Sequence, residues 1–372
     1  MSEHVDVVIV GSGIAGASLA YFLAERGVTD VLVLEREPQP GHHATGRSAA
    51  VLAELDPIST LQQLKARAAD FLRHPPPGFV DVPLLTPSGI IVLFREPLWS
   101  ALREALPLVA EAGTRVELLS PADVLARVPV LCPDRFDGAA FLPEDGAIDV
   151  HALLWGYLQQ ARRRGVKLRC GAEVRGVCVD RGRVSGVVTP EGTIGARWVV
   201  NAGGAWAGRI GALAGAAPIA LVPHRRTIVV FDTALDVRGW PMVVSDDERL
   251  YFAPESGGLK LSPMDEEPME ACDARPDDVV IAEGLERLAR LAPALVPRTI
   301  RRKWSGLRTF APDRVPVVGE DPRVRGFFWL AGQGGCGIET SPVLGRTAAD
   351  LLVDGASEAF GVAVLAPSRF VG

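Results

Sequence analysis

Cysteine is sparse and unpatterned: Cys132, Cys170, Cys178, Cys272 and Cys336 are scattered, with no C-x-x-C pair. An odd, unpaired set argues against a disulfide framework or a zinc site and fits a reducing cytoplasm. The six histidines show no H-x-x-x-H spacing, so no metal site is expected. A basic excess is lacking as well; a net charge of −6 gives no reason to expect a nucleic-acid partner. Lysine is nearly absent (Lys65, Lys167, Lys260 and Lys303), and Arg carries the positive charge. No long hydrophobic run exists: the longest, residues 210–223, contains Gly and Pro and is too short to span a bilayer. The start Met1-Ser2-Glu3-His4 has no basic n-region, so no cleaved leader is expected. These absences leave a cytoplasmic protein, with peripheral membrane contact left open.

What is present is globular. The chain has 372 residues, 48% of them hydrophobic and 23% charged, too many for one ordinary core, so two closely packed domains are expected. Val5–Val10 reads as a buried parallel strand, followed by Gly11-Ser12-Gly13-Ile14-Ala15-Gly16, a helix from Ala17 to Arg26, and a second strand, Val31–Leu34, ending on Glu35. Further on, residues 89–94 read as a strand, 98–111 and 150–165 as helices, and 167–169, 174–180 and 184–188 as strands. Residues 198–204 form a buried strand ending in glycine, 219–261 alternate as strands, and 279–291 are helical. The last third is strand 327–330, glycine turn Gln333-Gly334-Gly335, and helix 347–352. The Pro-rich stretch 74–78 marks a boundary.

A lone G-x-G-x-x-G is a weak signal, but here it lies between a strand and a helix. Gly11 permits the tight turn, Gly13 lets backbone approach a pyrophosphate, and Gly16 lets the helix pack on the strand. The helix amides, including those of Ile14 and Ala15, receive the phosphate charge. Glu35, at the end of the second strand, is placed to accept ribose hydroxyls and disfavours a 2′-phosphate. NAD and FAD both satisfy this unit. Two further features favour FAD. Residues 41–50 are small, polar and cationic, with Arg47 offering a fork to phosphate. The glycine turn at 331–337 opens onto a helix whose N-terminus suits the negative charge that develops near a flavin N1.

These segments together resemble the D-amino-acid oxidase superfamily of FAD-dependent oxidoreductases, and within it the bacterial D-arginine dehydrogenase / D-amino-acid dehydrogenase group. The resemblance rests on Gly11–Gly16, Leu34-Glu35-Arg36-Glu37, Thr45-Gly46-Arg47-Ser48-Ala49-Ala50, Pro76-Pro77-Gly78-Phe79, Pro223-His224-Arg225-Arg226, Trp240-Pro241-Met242, Trp304-Ser305-Gly306-Leu307-Arg308 and Gln333-Gly334-Gly335-Cys336-Gly337-Ile338. It implies an α/β fold: a Rossmann-type FAD-binding domain (1–80, 146–216 and 306–372) with an interleaved, mostly antiparallel β substrate-binding domain (81–145 and 217–305). It implies noncovalent FAD held by Gly11, Gly13, Ile14, Ala15, Gly16, Glu35, Arg36, Thr45, Arg47, Ser48, Ala49, Ala50, Val174, Ala202, Gly203, Gly334, Gly335, Gly337, Ile338 and Glu339. It places Arg226 and Arg308 on the substrate carboxylate, Tyr251 in the pocket, and the Gly335 carbonyl on the substrate amine. Arg225 and Arg226 are adjacent on a strand, so at most one is expected to enter the pocket. The implied reaction is oxidation of a small amino acid at its C–N bond, by hydride transfer to flavin N5. Oxygen, a quinone or another acceptor then takes the electrons.

The chain also departs from the D-arginine pattern. That group carries a Glu after Leu-Leu-Ser-Pro to grip the guanidinium; here Leu84-Leu85-Thr86-Pro87-Ser88-Gly89 has no acid. Its pocket-lining His, Thr and Tyr are missing from Val51-Leu52-Ala53-Glu54-Leu55-Asp56, and Glu339 replaces a Gln. His43 stands where dimethylglycine dehydrogenases attach flavin, and Gly306 where sarcosine oxidases carry a Cys. The expectation is therefore a neutral or apolar D-amino acid. The alternatives are a secondary amine (N-methyl or cyclic), a 2-hydroxy acid, or a nucleotide-binding regulatory protein without chemistry.

Overall fold

The computed structural model describes residues 3–371. A first sheet has an apolar centre: Lys167–Arg169, Val31–Leu34, His4–Val10, Gly192–Asn201 and Phe327–Ala331 run parallel in that order, and Val317–Glu320 closes the edge antiparallel. Strand alternation sends Val31, Val33, Phe328 and Leu330 to one face and Leu32, Leu34, Phe327 and Trp329 to the other, so both faces must be covered. Helices Ile14–Glu25, Val150–Arg163 and Gly337–Asp354 contribute to the core on the first face. Helix Ala207–Ala214 and the antiparallel strand Arg183–Thr189 contribute to the second.

The second sheet is mostly antiparallel. Its order is Ile300–Phe310, Val222–Phe231, Gly258–Ser262, Leu250–Glu255, Met242–Ser245, Ile90–Phe94, Gly138–Leu142 and Glu117–Leu119, with one parallel pair, Met242–Ser245 against Ile90–Phe94. Its alternation is equally regular. Ile91, Val229, Val243 and Phe252 face a core shared with Ile281, Leu288 and Leu291 of helix Asp278–Leu291. Ile90, Ile228, Met242 and Tyr251 face the other way, against Ala49, Val51 and Ala53. That second face looks toward the glycine-rich end of the first sheet, which places the site between the sheets. Strand Ile300–Phe310 runs through residue 306 without a break.

Among the elements that differ from the sequence reading, three bear on the site. Helix Gly337–Asp354 begins ten residues before the expected 347 and continues through Pro342; the Ile338 carbonyl, which loses its usual backbone donor there, accepts from the Ser341 hydroxyl (2.9 Å). Helix Ser59–Arg73 went unread, although Leu61, Leu64, Ala68 and Leu72 repeat at helical spacing. Strand Ile300–Phe310 was masked by its exposed basic start, residues 300–303. Among the described residues no helix is long and apolar enough to cross a membrane.

Candidate functional site

Two cavities lie between the sheets, of about 460 Å³ and about 130 Å³, and share Gly13, Thr45, Arg47, Ala202 and Gly306 in their walls. The larger runs from Gly11, Gly13, Glu35 and Arg36 past Val174, Ala202 and Gly203 to Leu307. Two positions of the turn at its base, Gly11 and Gly16, admit nothing larger than glycine. A Cβ on Gly11, whose φ is +105°, would lie 2.5 Å from the Ala202 carbonyl oxygen, and one on Gly16 would lie 2.0 Å from the Gly11 carbonyl oxygen.

Glu35 is buried at the strand end and accepts from the Ser12 amide (3.0 Å), the Ser12 hydroxyl (2.8 Å) and the Glu37 amide (3.0 Å). Three donors fix its carboxylate at the cavity wall. The Ile14 amide, in the first turn of the helix, donates to Thr45 Oγ1 at 3.0 Å. Arg36 stacks on Trp206, 3.6 Å from the ring centroid, and His43 lies 2.9 Å from Arg36 and 2.8 Å from Glu37. Burial, first, holds the His43 imidazole below its ordinary pKa, against the pull of Glu37. The ligand atoms of Glu37, His42 and His43 lie within 4.8 Å of one another, a grouping the sequence spacing did not suggest. Arg47 reaches both cavities, and its guanidinium is engaged by Asp273 and by the Ala274 (3.2 Å) and Ser305 (3.3 Å) carbonyls.

The smaller cavity is lined by Ile14, Ala15, Ser48, Ala49, Arg226, Tyr251, Arg308, Gly334, Gly335, Gly337 and Ile338, so the cofactor and substrate residues expected from sequence converge there. Arg226 is 6% exposed; its Nε donates to the Asp265 carbonyl (2.9 Å) and its Nη2 to Glu266 (3.1 Å). Burial, and then the neighbouring charge of Arg308, push its pKa down to about 10. Arg308 is half-buried and, among the described residues, makes no salt bridge. A Cβ on Gly335 would lie 2.7 Å from the Arg308 Nη1, so the glycine turn and the guanidinium pack directly together. Arg225 turns away, to Asp265, Glu267 and Asp277, as strand alternation requires.

Three of the expected cofactor residues lie outside both walls. Gly16 packs under Gly11, and the Ala50 carbonyl accepts from the Ile148 amide (3.1 Å). The Glu339 side chain is not brought to either cavity: it accepts from the Ala53 amide (2.8 Å) and faces Lys65 Nζ at 3.3 Å. Burial pushes its carboxyl up. Lys65 also bonds Asp56 (2.8 Å), and Glu54 pairs with Arg73. One helix, Ser59–Arg73, therefore supplies the cations that engage all three acids of the region where the chain departs from the D-arginine pattern. Sequence reasoning missed this helix, and it missed Glu266 and Arg314 as well. The acidic run Asp265-Glu266-Glu267 against the basic pair Arg225-Arg226 was the available signal.

The FAD dependent oxidoreductase family matches residues 6–351. Glycine oxidase of Geobacillus kaustophilus is 29% identical over 384 residues, covering 100% of this chain and 99% of that protein. Its crystal structure superimposes with a TM-score of 0.84 at 28% identity, over the whole of both chains. The crystal structure of L-proline dehydrogenase from P. horikoshii matches with a TM-score of 0.90 and 25% identity, covering 100% of this chain and 98% of that one. The mitochondrial pyruvate dehydrogenase phosphatase regulatory subunit of Mus musculus is 28% identical over 375 residues, 95% of this chain but 42% of that protein. The chain spans about two fifths of the length of several curated relatives it matches. With Gly11 and Gly16 closed to any side chain, an acid fixed at the second strand's end and a long cavity between two sheets, the chain belongs to the family of FAD dependent oxidoreductases.

Proposed function

We propose that this chain oxidises the C–N bond of a small amino acid or secondary amine that carries one carboxylate and no charged side chain. The observation that carries this reading is Arg308: a half-buried guanidinium, free of ionic partners among the described residues, at the wall of a small cavity. A carboxylate leaving water needs a charge-assisted, preferably bidentate partner, and Arg supplies it.

The residues present fit FAD. Gly11, Gly13, Glu35, Val174 and Ala202 line the long cavity, and Gly335, Gly337 and Ile338 line the small one that adjoins it. When bound, FAD supplies a hydride acceptor, and the substrate imine hydrolyses in water. The chain's own part is binding and orientation: Arg308 holds the carboxylate, Tyr251 and Ile228 shape the wall, and Ala49 closes it on the loop side. No acid is left for a cationic side chain, because Glu54, Asp56 and Glu339 are held by Arg73 and Lys65. Burying a guanidinium unpaired is prohibitive, which supports a neutral side chain over arginine.

Two of the names among its relatives, glycine oxidase and L-proline dehydrogenase, support the secondary-amine and smallest-substrate form of this reading over a large D-amino acid. Anaerobic flavin bleaching with glycine, sarcosine, both prolines, D-leucine, D-phenylalanine, D-arginine and a 2-hydroxy acid tests it. A small neutral amine acid is expected to bleach fastest. Preference for D-arginine, or bleaching by dithionite but by no donor in the panel, overturns it; the second outcome is that of a nucleotide-binding regulator.

A further inference from the structure

Three arginines line the small cavity, Arg47, Arg226 and Arg308, yet only Arg308 has its charge uncompensated, because Arg47 pairs with Asp273 and Arg226 with Glu266. Arg226 donates to Glu266 Oε1 at 3.1 Å, and Arg314 donates to the same oxygen at 2.9 Å while stacking 3.8 Å from the Phe310 ring centroid. Glu266 does not line the cavity; it meets Arg226 from behind. Asp265, the next acid, is committed to Arg225 (3.3 Å) and to the Thr227 amide and hydroxyl (2.6 and 2.8 Å). Glu266 stays ionised: burial opposes its charge, but Arg314, Arg226 and Arg308 together hold its carboxyl below the ordinary range.

We infer that Glu266 is a specificity-determining residue: by neutralising Arg226 from behind, it leaves the cavity a single open cation, Arg308, and so restricts ligands to one carboxylate. The inference rests on the proposed function. A second substrate carboxylate would meet an Arg226 that already holds a carboxylate, and a buried carboxylate without a partner of its own is strongly disfavoured. Removing the charge of Glu266 while keeping its shape opens Arg226 as a second anion seat.

The test uses the FAD-loaded protein and its Glu266→Gln and Glu266→Ala variants, titrated with propionate, malonate and succinate. Binding is read from the flavin visible spectrum and by calorimetry. In the wild-type protein propionate is expected to bind more tightly than either dicarboxylate. In Glu266→Gln the better dicarboxylate gains about tenfold or more, the size of effect expected from one new charge-assisted contact, while propionate changes by less than about threefold. Arg314→Met, which leaves Glu266 on Arg226, keeps the wild-type preference. Unchanged dicarboxylate affinity in both folded, yellow Glu266 variants overturns the inference while leaving the proposed function in place. If propionate fails to bind the wild-type protein at all, the carboxylate seat at Arg308 fails, and the inference falls with it.

Discussion

Arg226 and Arg308 stand diagonally on neighbouring antiparallel strands: Arg226 lies opposite Gly306, and Arg308 opposite His224. Residues two apart on a strand share a face, so both guanidinium groups reach the same cavity while Arg225 meets its acids on the opposite face. Gly306, lacking a side chain, leaves the space between them open toward Arg47; a Cβ there would lie 3.2 Å from the Arg47 Cβ.

This arrangement separates two neighbouring substitutions. Arg308→Met is expected to lower kcat/KM for the best carboxylate substrate by roughly two to four orders of magnitude, about 3–5 kcal/mol, with FAD content kept. Arg225→Met removes a buried cation from Asp265, Glu267 and Asp277, so its effect falls on thermal stability and not on KM. Steady-state kinetics beside thermal melts would show it. Near wild-type efficiency in Arg308→Met means the carboxylate is held elsewhere.

Gly16→Ala should cost the protein its flavin. The added Cβ would lie 2.0 Å from the Gly11 carbonyl oxygen, which forces the phosphate-binding turn off its path. The purified wild-type protein is expected to be yellow, with FAD released by heat or acid, since Gly306 offers no thiol for a covalent link and none is expected at His43. The variant should retain less than about a tenth of that FAD. A yellow Gly16→Ala protein, or a wild-type flavin that stays with the denatured chain, contradicts this.

Legibility in the sequence followed the kind of signal each part carries. The βαβ unit was readable because strand, glycine turn and helix are contiguous, and residues 4–35 fold as the spacing implies. Arg226 and Arg308 were readable through strand alternation and their apolar neighbours. The Lys65–Asp56–Glu339 cluster was not, because its members come from three separate segments and only folding brings them within 3.3 Å. Glu339 was assigned to the cofactor because it follows the glycine turn. A helix start, however, aims successive side chains in different directions, and this one aims at Lys65. The narrower likeness to D-arginine dehydrogenases rested on short motifs spread along the chain, in both the flavin and the substrate domain. The similar proteins, glycine oxidase and L-proline dehydrogenase among them, support the superfamily without singling out that group.

No side chain at the small cavity is placed as an obligatory general base. A substrate amine arriving neutral can give up its hydride with the site supplying only orientation and dryness. The profile of kcat/KM is therefore expected to rise once with pH, following substrate amine deprotonation. That limb should survive in Tyr251→Phe and in Glu339→Gln. The second substitution should also lower stability, because it removes a charge from Lys65. Loss of the rising limb in either variant identifies a base that the geometry does not reveal.

Asp145 gives a stability prediction with a definite sign. It is 2% exposed, accepts from the Glu54 amide at 2.8 Å and lies 3.6 Å from Arg73. Burial, first, and then the charges of Glu54 and Glu339 push its carboxyl from the ordinary 3.8 up to about 8, more than the Glu54 amide and Arg73 pull it down. The folded protein thus holds this proton where the unfolded chain has released it. The contribution is fully present below the unfolded value and is lost as pH climbs through the window from 3.8 to about 8. Asp145→Asn keeps an acceptor for the Glu54 amide and removes the titration. Its melting temperature relative to wild type should therefore rise steadily between pH 5 and pH 8, by several degrees across the window. Melts of both proteins at half-unit pH steps measure the difference directly. A difference that stays flat with pH, or that falls, would mean Arg73 holds Asp145 ionised in the folded protein and that burial is the weaker influence.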